Sequence, residues 1–276
     1  MKTSAFIDWL SVTHFGSTDV PQHDMLPKDK EFGKAHNGYS DAFKYSTGVI
    51  VMWNTKRPAM GLHIIYTGKV LQTIRERYGV NADEILRYHT TLQGRVSRCD
   101  FALDVHQSGL SIGNLWDELE NGQAQTKSSH SRTQNGQNRG YTLYVGSRKK
   151  RKKMLRIYDK AKEVGDFVSD WLRVELETRS DVARNATRLY QDRNCTPETI
   201  AGMVLGFCDF PSVDLWQRTI SAPHDKIPVG THQTGDTEGW LLNQCAPALA
   251  KAILRDPSFA GTFASVLEHF IAKGTG

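Results

Sequence analysis

The chain has 276 residues, 39% of them hydrophobic and 24% charged, which is enough for one large domain or two small ones and too apolar for a disordered chain. Its 35 Lys and Arg against 30 Asp and Glu leave a net charge of +5, an excess that points to a polyanionic partner only where the cations cluster. No apolar run approaches the roughly 18 residues of a membrane span, and the opening segment is broken by Asp8, so neither a span nor a secretory signal is expected. Cys99, Cys195, Cys208 and Cys245 form no C-x-x-C pair, which excludes the usual zinc and redox motifs and fits free thiols in a reducing cytoplasm.

In chain order, residues 5–14 read as a first strand and residues 15–45 as a long polar loop. Residues 48–54 and 61–67 are β-branched and apolar, a hairpin around Thr55-Lys56-Arg57-Pro58. Residues 69–93 read as helical, interrupted near Gly79-Val80-Asn81, and 95–105 as a strand. A short helix is expected over 110–121, then a Gln/Ser/Asn/Gly-rich loop over 122–139. Residues 141–145 and 154–158 form a second hairpin, with six consecutive cations at its tip: Arg148, Lys149, Lys150, Arg151, Lys152 and Lys153. A helical turn over 160–168, a strand over 171–178 and a basic helix over 181–194 follow. Thr196-Pro197-Glu198 is a helix start. Residues 222–238 read as a linker, and 239–254 and 258–273 as two helices split at Asp256-Pro257. These elements predict an α+β fold over 1–194 and a helical C-terminal region over 195–276.

Side chains two apart on a strand share a face. Arg98, Asp100, Ala102 and Asp104 therefore stand opposite Cys99, Phe101, Leu103 and Val105. Arg173, Glu175 and Glu177 share one face of their strand, and Arg156, Tyr158 and Lys160 one face of theirs. If the three strands are neighbours, the three faces merge into one site. Asp100 and Asp104 would lie roughly 13 Å apart along the strand, too far to share an ion directly, so Mg²⁺ or Mn²⁺ would take one Asp and one Glu from adjacent strands. His63 is a candidate nitrogen ligand, better suited to Mn²⁺.

A tyrosine, a basic loop and several acids are the parts needed to attack a phosphodiester. Tyr158 is the candidate nucleophile, and Arg156 or Lys160 would favour its phenolate by opposite charge. Arg148 to Lys153, with Arg98 and Arg173, are candidate phosphate contacts. Two other readings use fewer parts. A nuclease that activates water needs the acids without the tyrosine. A non-catalytic nucleic-acid-binding regulator needs only the basic loop.

Four segments resemble the trans-acting replication initiation factor family of rolling-circle plasmids, filamentous phages and some integrative elements. They are FIDWLSVT near the start, GLHIIYTG at 61–68, RVSRCDFALDV at 95–105, and TLYVGSRKKRKKMLRIYDKAKE with WLRVELETR within 142–179. The resemblance implies an antiparallel sheet with packed helices, a relaxase-like nicking domain over 1–194. It implies that Tyr158 nicks origin DNA and becomes esterified to the 5′ phosphate, with Asp100, Asp104, Glu175 and Glu177 as metal-site residues. It also implies single-stranded or hairpin origin DNA as substrate, a host helicase as partner and the bacterial cytoplasm as the place of action. A conjugative relaxase would use the same chemistry.

Overall fold

The computed structural model describes residues 2–16, 29–134, 140–147, 152–228 and 246–274. Ten strands form one antiparallel sheet: β1 Lys2–His14, β2 Lys30–Phe32, β3 Asp41–Tyr45, β4 Ile50–Trp53, β5 Leu62–Tyr66, β6 Arg95–His106, β7 His130–Gln134, β8 Tyr141–Val145, β9 Lys153–Asp159 and β10 Trp171–Arg179. Their spatial order is β2-β3-β4-β5-β1-β6-β10-β9-β8-β7. The long strands β1, β6 and β10 are central, and the short polar strands β2 and β7 are the edges. Edges as short as these offer little length for pairing with another chain.

One face of the sheet is covered by helices. Alternation sends Cys99, Phe101, Leu103 and Val105 of β6, Leu155 and Ile157 of β9, and Val174 and Leu176 of β10 into this layer, where all are buried. Each large side chain so buried contributes roughly 1.5–3 kcal/mol. The covering helices are α1 Gly68–Tyr78, α2 Ala82–Thr91, α3 Ile112–Glu120 and α5 Ser180–Asp192, and they add Ile74, Leu86, Leu115 and Tyr190 to the same core. Their ends follow local chemistry. Thr67 caps α1 by accepting from the Val70 amide, and Gly79 ends it at φ 69°. Asn81 and Glu84 form a reciprocal capping box on α2. Between β9 and β10 lies the single turn α4, Lys160–Glu163.

Helices α6 Pro197–Leu205 and α7 Asp214–Thr219, with the segment between them, bring Ile200, Met203, Val204, Phe210 and Trp216 into this core. The chain divides into Met1–Val229 and Gly230–Gly276, so α6 and α7, the first part of the helical region expected over 195–276, belong to the first unit. The second unit holds α8 Ala246–Arg255 and α9 Phe259–Gly274. Other differences lie at the sheet edges. Parts of the expected loops 15–45 and 122–139 form β2, β3 and β7. No helix among the described residues is long and apolar enough to cross a membrane.

Two irregularities in the β1–β6 ladder position the site. Ile7 pairs with Phe101 and Trp9 with Asp100, so Asp8 is an extra residue in β1. Such a bulge lets Ile7 and Leu10 both face the core while Asp8 and Trp9 are left to the opposite side. The second shift, at Ser97, pairs Ser11 with Arg98 and Val12 with Val96.

Candidate active site

The face opposite the helices carries the polar rows. Register sets Asp104 beside Arg173 and Arg173 beside Tyr158; Ala102 beside Glu175 and Glu175 beside Arg156; Asp100 beside Glu177 and Glu177 beside Met154. The three faces read from the sequence are therefore adjacent, with β10 in the middle. They form one wall of a cleft of about 1380 Å³ that also takes in Asp8, Trp9, Tyr144 and Lys160.

Arginine occupies every acid of the wall. Arg173 donates to both Asp104 oxygens at 2.7 and 2.9 Å and to Asp8 Oδ1 at 3.1 Å. Arg98 donates to Asp100 Oδ1 at 2.9 Å and Oδ2 at 2.5 Å and reaches Glu177 Oε2 at 3.1 Å, while its guanidinium lies 4.2 Å from the Trp9 ring centre. Arg179 donates to the other Glu177 oxygen at 2.7 Å. Arg156 pairs with Glu175. Charge-assisted pairs of this kind hold buried carboxylates in fixed orientations. Arg98 and Arg173, expected to grip phosphates, are instead committed to carboxylates.

Tyr158 donates its hydroxyl to Glu175 Oε2 at 3.3 Å. Burial first, and then the Glu175 charge, push its phenol well above the ordinary value; Arg173 acts in the opposite direction. Arg156 and Lys160, expected to favour the phenolate, are engaged by Glu175 and Glu163, and their charged groups sit 5.9 Å from the centre of the Tyr158 ring. Asp8 is raised to about 6, by burial and by Glu175 against the pull of Arg173. Asp100 is raised too, by burial and by Glu175 and Glu177 against Arg98. Arg156 Nε is buried with no acceptor among the described residues, a donor that an incoming anion would satisfy.

The remaining candidates lie elsewhere. His63 is on β5, 2.8 Å from Thr13 Oγ1 and stacked on Tyr39. Burial lowers it to about 4. Thr13 stands four residues along β1 from Trp9, roughly 13 Å, so His63 is outside the cleft and cannot share an ion with Asp100. Glu177 lies beneath Arg98 and Arg179, almost wholly buried. Lys152 pairs with Asp181, and Lys153 lies over the Phe207 ring at 4.9 Å. Arg148, Lys149, Lys150 and Arg151 fall outside the described residues.

Among the described residues no three His, Cys, Asp or Glu side chains form a ready-made metal site. The donors on the cleft wall are nevertheless all carboxylate oxygens, the kind that Mg²⁺ and Mn²⁺ take. Burial, and after it the Glu175 charge, raise both Asp8 and Asp100, and a divalent cation would favour their ionised forms. The wall therefore fits such an ion in donor type, with Asp8 and Glu175, both of which act on the Tyr158 phenol, as the pair best placed. The sequence reading missed Asp8 and Trp9. The signal for Asp8 was an acid inside an otherwise apolar strand; the bulge that turns Trp9 to the cleft beside it leaves no mark in the sequence.

A family model described as replication initiation factor matches residues 94–263. The chain belongs to the replication initiation factor family. The match spans β6, β9 and β10, which carry Asp100, Tyr158 and Glu175; Asp8 and Trp9 lie before it. The fold of this family member is similar to a solved structure of a rolling circle replication initiator protein from Geobacillus stearothermophilus, with a TM-score of 0.64 and 19% identity over 82% of this chain and 94% of that one. No curated protein matches the sequence.

Proposed function

We propose that the protein initiates rolling-circle replication by nicking one strand of origin DNA through Tyr158. Membership of the replication initiation factor family supports the process. The observation that carries the chemistry is the Tyr158 hydroxyl on Glu175, in a cleft wall where Arg156 Nε is a buried donor awaiting an acceptor. A scissile phosphate seated on Arg156 supplies that acceptor and stands within reach of the phenol.

Tyr158 Oη attacks phosphorus, the phosphorus–O3′ bond breaks, and the 3′ oxygen leaves as a hydroxyl while the 5′ phosphate stays on the tyrosine. The phenolic proton is released to solvent and the 3′ oxygen takes one up, so protons balance. One ester is exchanged for another, so the strand remains rejoinable. Glu175 orients the hydroxyl, and Arg173 fixes Asp8 and Asp104 beside it. Asp8 and Glu175 would hold Mg²⁺ or Mn²⁺, which when bound polarises the phosphate and offsets the charge that opposes the phenolate.

The test is a denaturing gel of the protein mixed with single-stranded origin DNA. Wild type should leave protein covalently on the 5′ fragment, and Tyr158→Phe should neither cleave nor attach while still binding. Cleavage without attachment would favour the water-activating nuclease, and no cleavage by wild type in any divalent metal would favour the non-catalytic regulator. EDTA should stop cleavage and spare binding.

A further inference from the structure

The sheet carries a second cleft, about 790 Å³, at the end where β9 gives way to α4. Asp159 and Trp171 line it and the Tyr158 cleft alike. It opens on the helix-bearing face: Arg132 of β7 is in register with Leu143, and Gln134 with Tyr141. The two clefts therefore meet at Asp159 and Trp171, across the end of β9.

Its walls combine open rings with an uncommitted cation. Tyr141 is 44% and Phe167 62% exposed. The Arg132 guanidinium lies between two rings, 4.8 Å from the centre of Trp116 and 5.1 Å from that of Tyr141, and no carboxylate pairs with it among the described residues. The acids nearby are already occupied. Asp159 caps α4 through the Lys162 amide at 3.0 Å and pairs with Lys162 Nζ at 2.9 Å, and Asp170 accepts from the Gly109 amide at 2.7 Å. Exposed rings beside a guanidinium that no carboxylate pairs with among the described residues suit bases that stack and a phosphate that follows them. A duplex keeps its bases stacked on one another and cannot use such rings.

We propose that this second cleft holds the single-stranded DNA flanking the nick, with bases on Tyr141 and Phe167 and a backbone phosphate on Arg132. The proposal rests on the nicking reading for the strand's route, and it is tested apart from that reading. Fluorescence anisotropy would follow labelled oligo(dT) of about 6 and about 20 nucleotides, spanning the site sizes common for single strands, on a Tyr158→Phe background. Tyr141→Ala with Phe167→Ala should weaken the longer strand about 10-fold or more and the shorter one less, because each lost stacking partner is worth at least a few-fold. Tyr141→Phe with Phe167→Tyr keeps both rings and should bind like the parent. Arg132→Gln should lower the salt slope by about 0.7, one phosphate contact on a single strand. The proposal fails if the alanine pair binds the longer strand normally, or if the ring-keeping pair loses as much. Cleavage by Tyr158→Phe would remove the nucleophile assignment, and the role of the cleft would then be decided by these affinities alone.

Discussion

The Tyr158 phenol is held neutral by its own surroundings, so its neighbours decide whether it can act. Glu175 both positions the hydroxyl and opposes its ionisation. Glu175→Gln should therefore bring the phenol down toward its ordinary range, read by ultraviolet titration against Tyr158→Phe, and yet cut nicking by about 10²-fold, as losing a charge-stabilising group at a reacting centre does. A mutant that nicks faster would show that Glu175 only restrains the tyrosine. Asp8 gives a stability test. Its folded value, about 6, lies above the ordinary 3.8 of an aspartate, so between these pH values the folded state keeps a proton that the unfolded chain releases. Stability must then fall as pH rises through that window, by about 3 kcal/mol. Unfolding free energies of wild type and Asp8→Asn, from urea titrations between pH 4 and 7, should diverge by that amount, and parallel curves would refute the assignment. Residue types were readable in advance: an acid–arginine–tyrosine set on three alternating faces. Which arginine holds which acid was not, because pairing depends on cross-strand register.

Strand β1 shows how one extra residue builds the site. Had the ladder run without the bulge, Trp9 and Leu10 would have exchanged faces, placing an indole in the core and a leucine in the cleft. The bulge is tight against α1. A Cβ at Gly68 would stand 2.6 Å from Asp8 Oδ1 and 2.9 Å from the Asp8 carbonyl oxygen. Alanine in the first turn of a helix normally stabilises it by up to about 1 kcal/mol over glycine; here the clash reverses the sign. Gly68→Ala should lower stability by about 1–3 kcal/mol and displace Asp8, so nicking falls with it. Unchanged melting would mean that the bulge has room to move. Strands β6, β9 and β10 were legible because apolar and polar residues alternate through the middle of each, as in Leu172-Arg173-Val174-Glu175-Leu176-Glu177. The edges β2 and β7 were not, since Lys30–Phe32 and most of His130–Gln134 are exposed on both sides and leave no periodic apolar signal. Helix α7 escaped because its six residues give less than two turns in which to show a stripe.

Across the whole molecule, the described buried hydrophobic side chains run from Ile7 to Ile227, all within the first unit. The segment that closes this unit is fixed by contacts of its own. Asp225 pairs with Arg193 at 2.5 Å, and the segment packs so closely on α6 that a Cβ at Gly202 would collide with the Pro223 carbonyl oxygen and one at Gly206 with the Asp225 backbone. Asn185 Nδ2 donates to the Pro228 carbonyl at 2.6 Å. The composition change near residue 195 is real in the sequence, but it marks a switch from sheet to helices inside one core, which patterning alone cannot tell from a domain boundary. A chain ending at Val229 should therefore keep a single cooperative urea transition, with an unfolding free energy in water within about 1 kcal/mol of the full chain's, since no described core residue is removed. Its m-value should fall only by the surface the tail itself exposes on unfolding. A chain ending at Asn194 should lose Ile200, Met203, Val204, Phe210 and Trp216 from the core, at about 2–5 kcal/mol for each large side chain removed, and should not fold. If the longer fragment is molten or aggregates while the full chain is cooperative, the tail completes the fold and the unit boundary at Val229 is not a folding boundary.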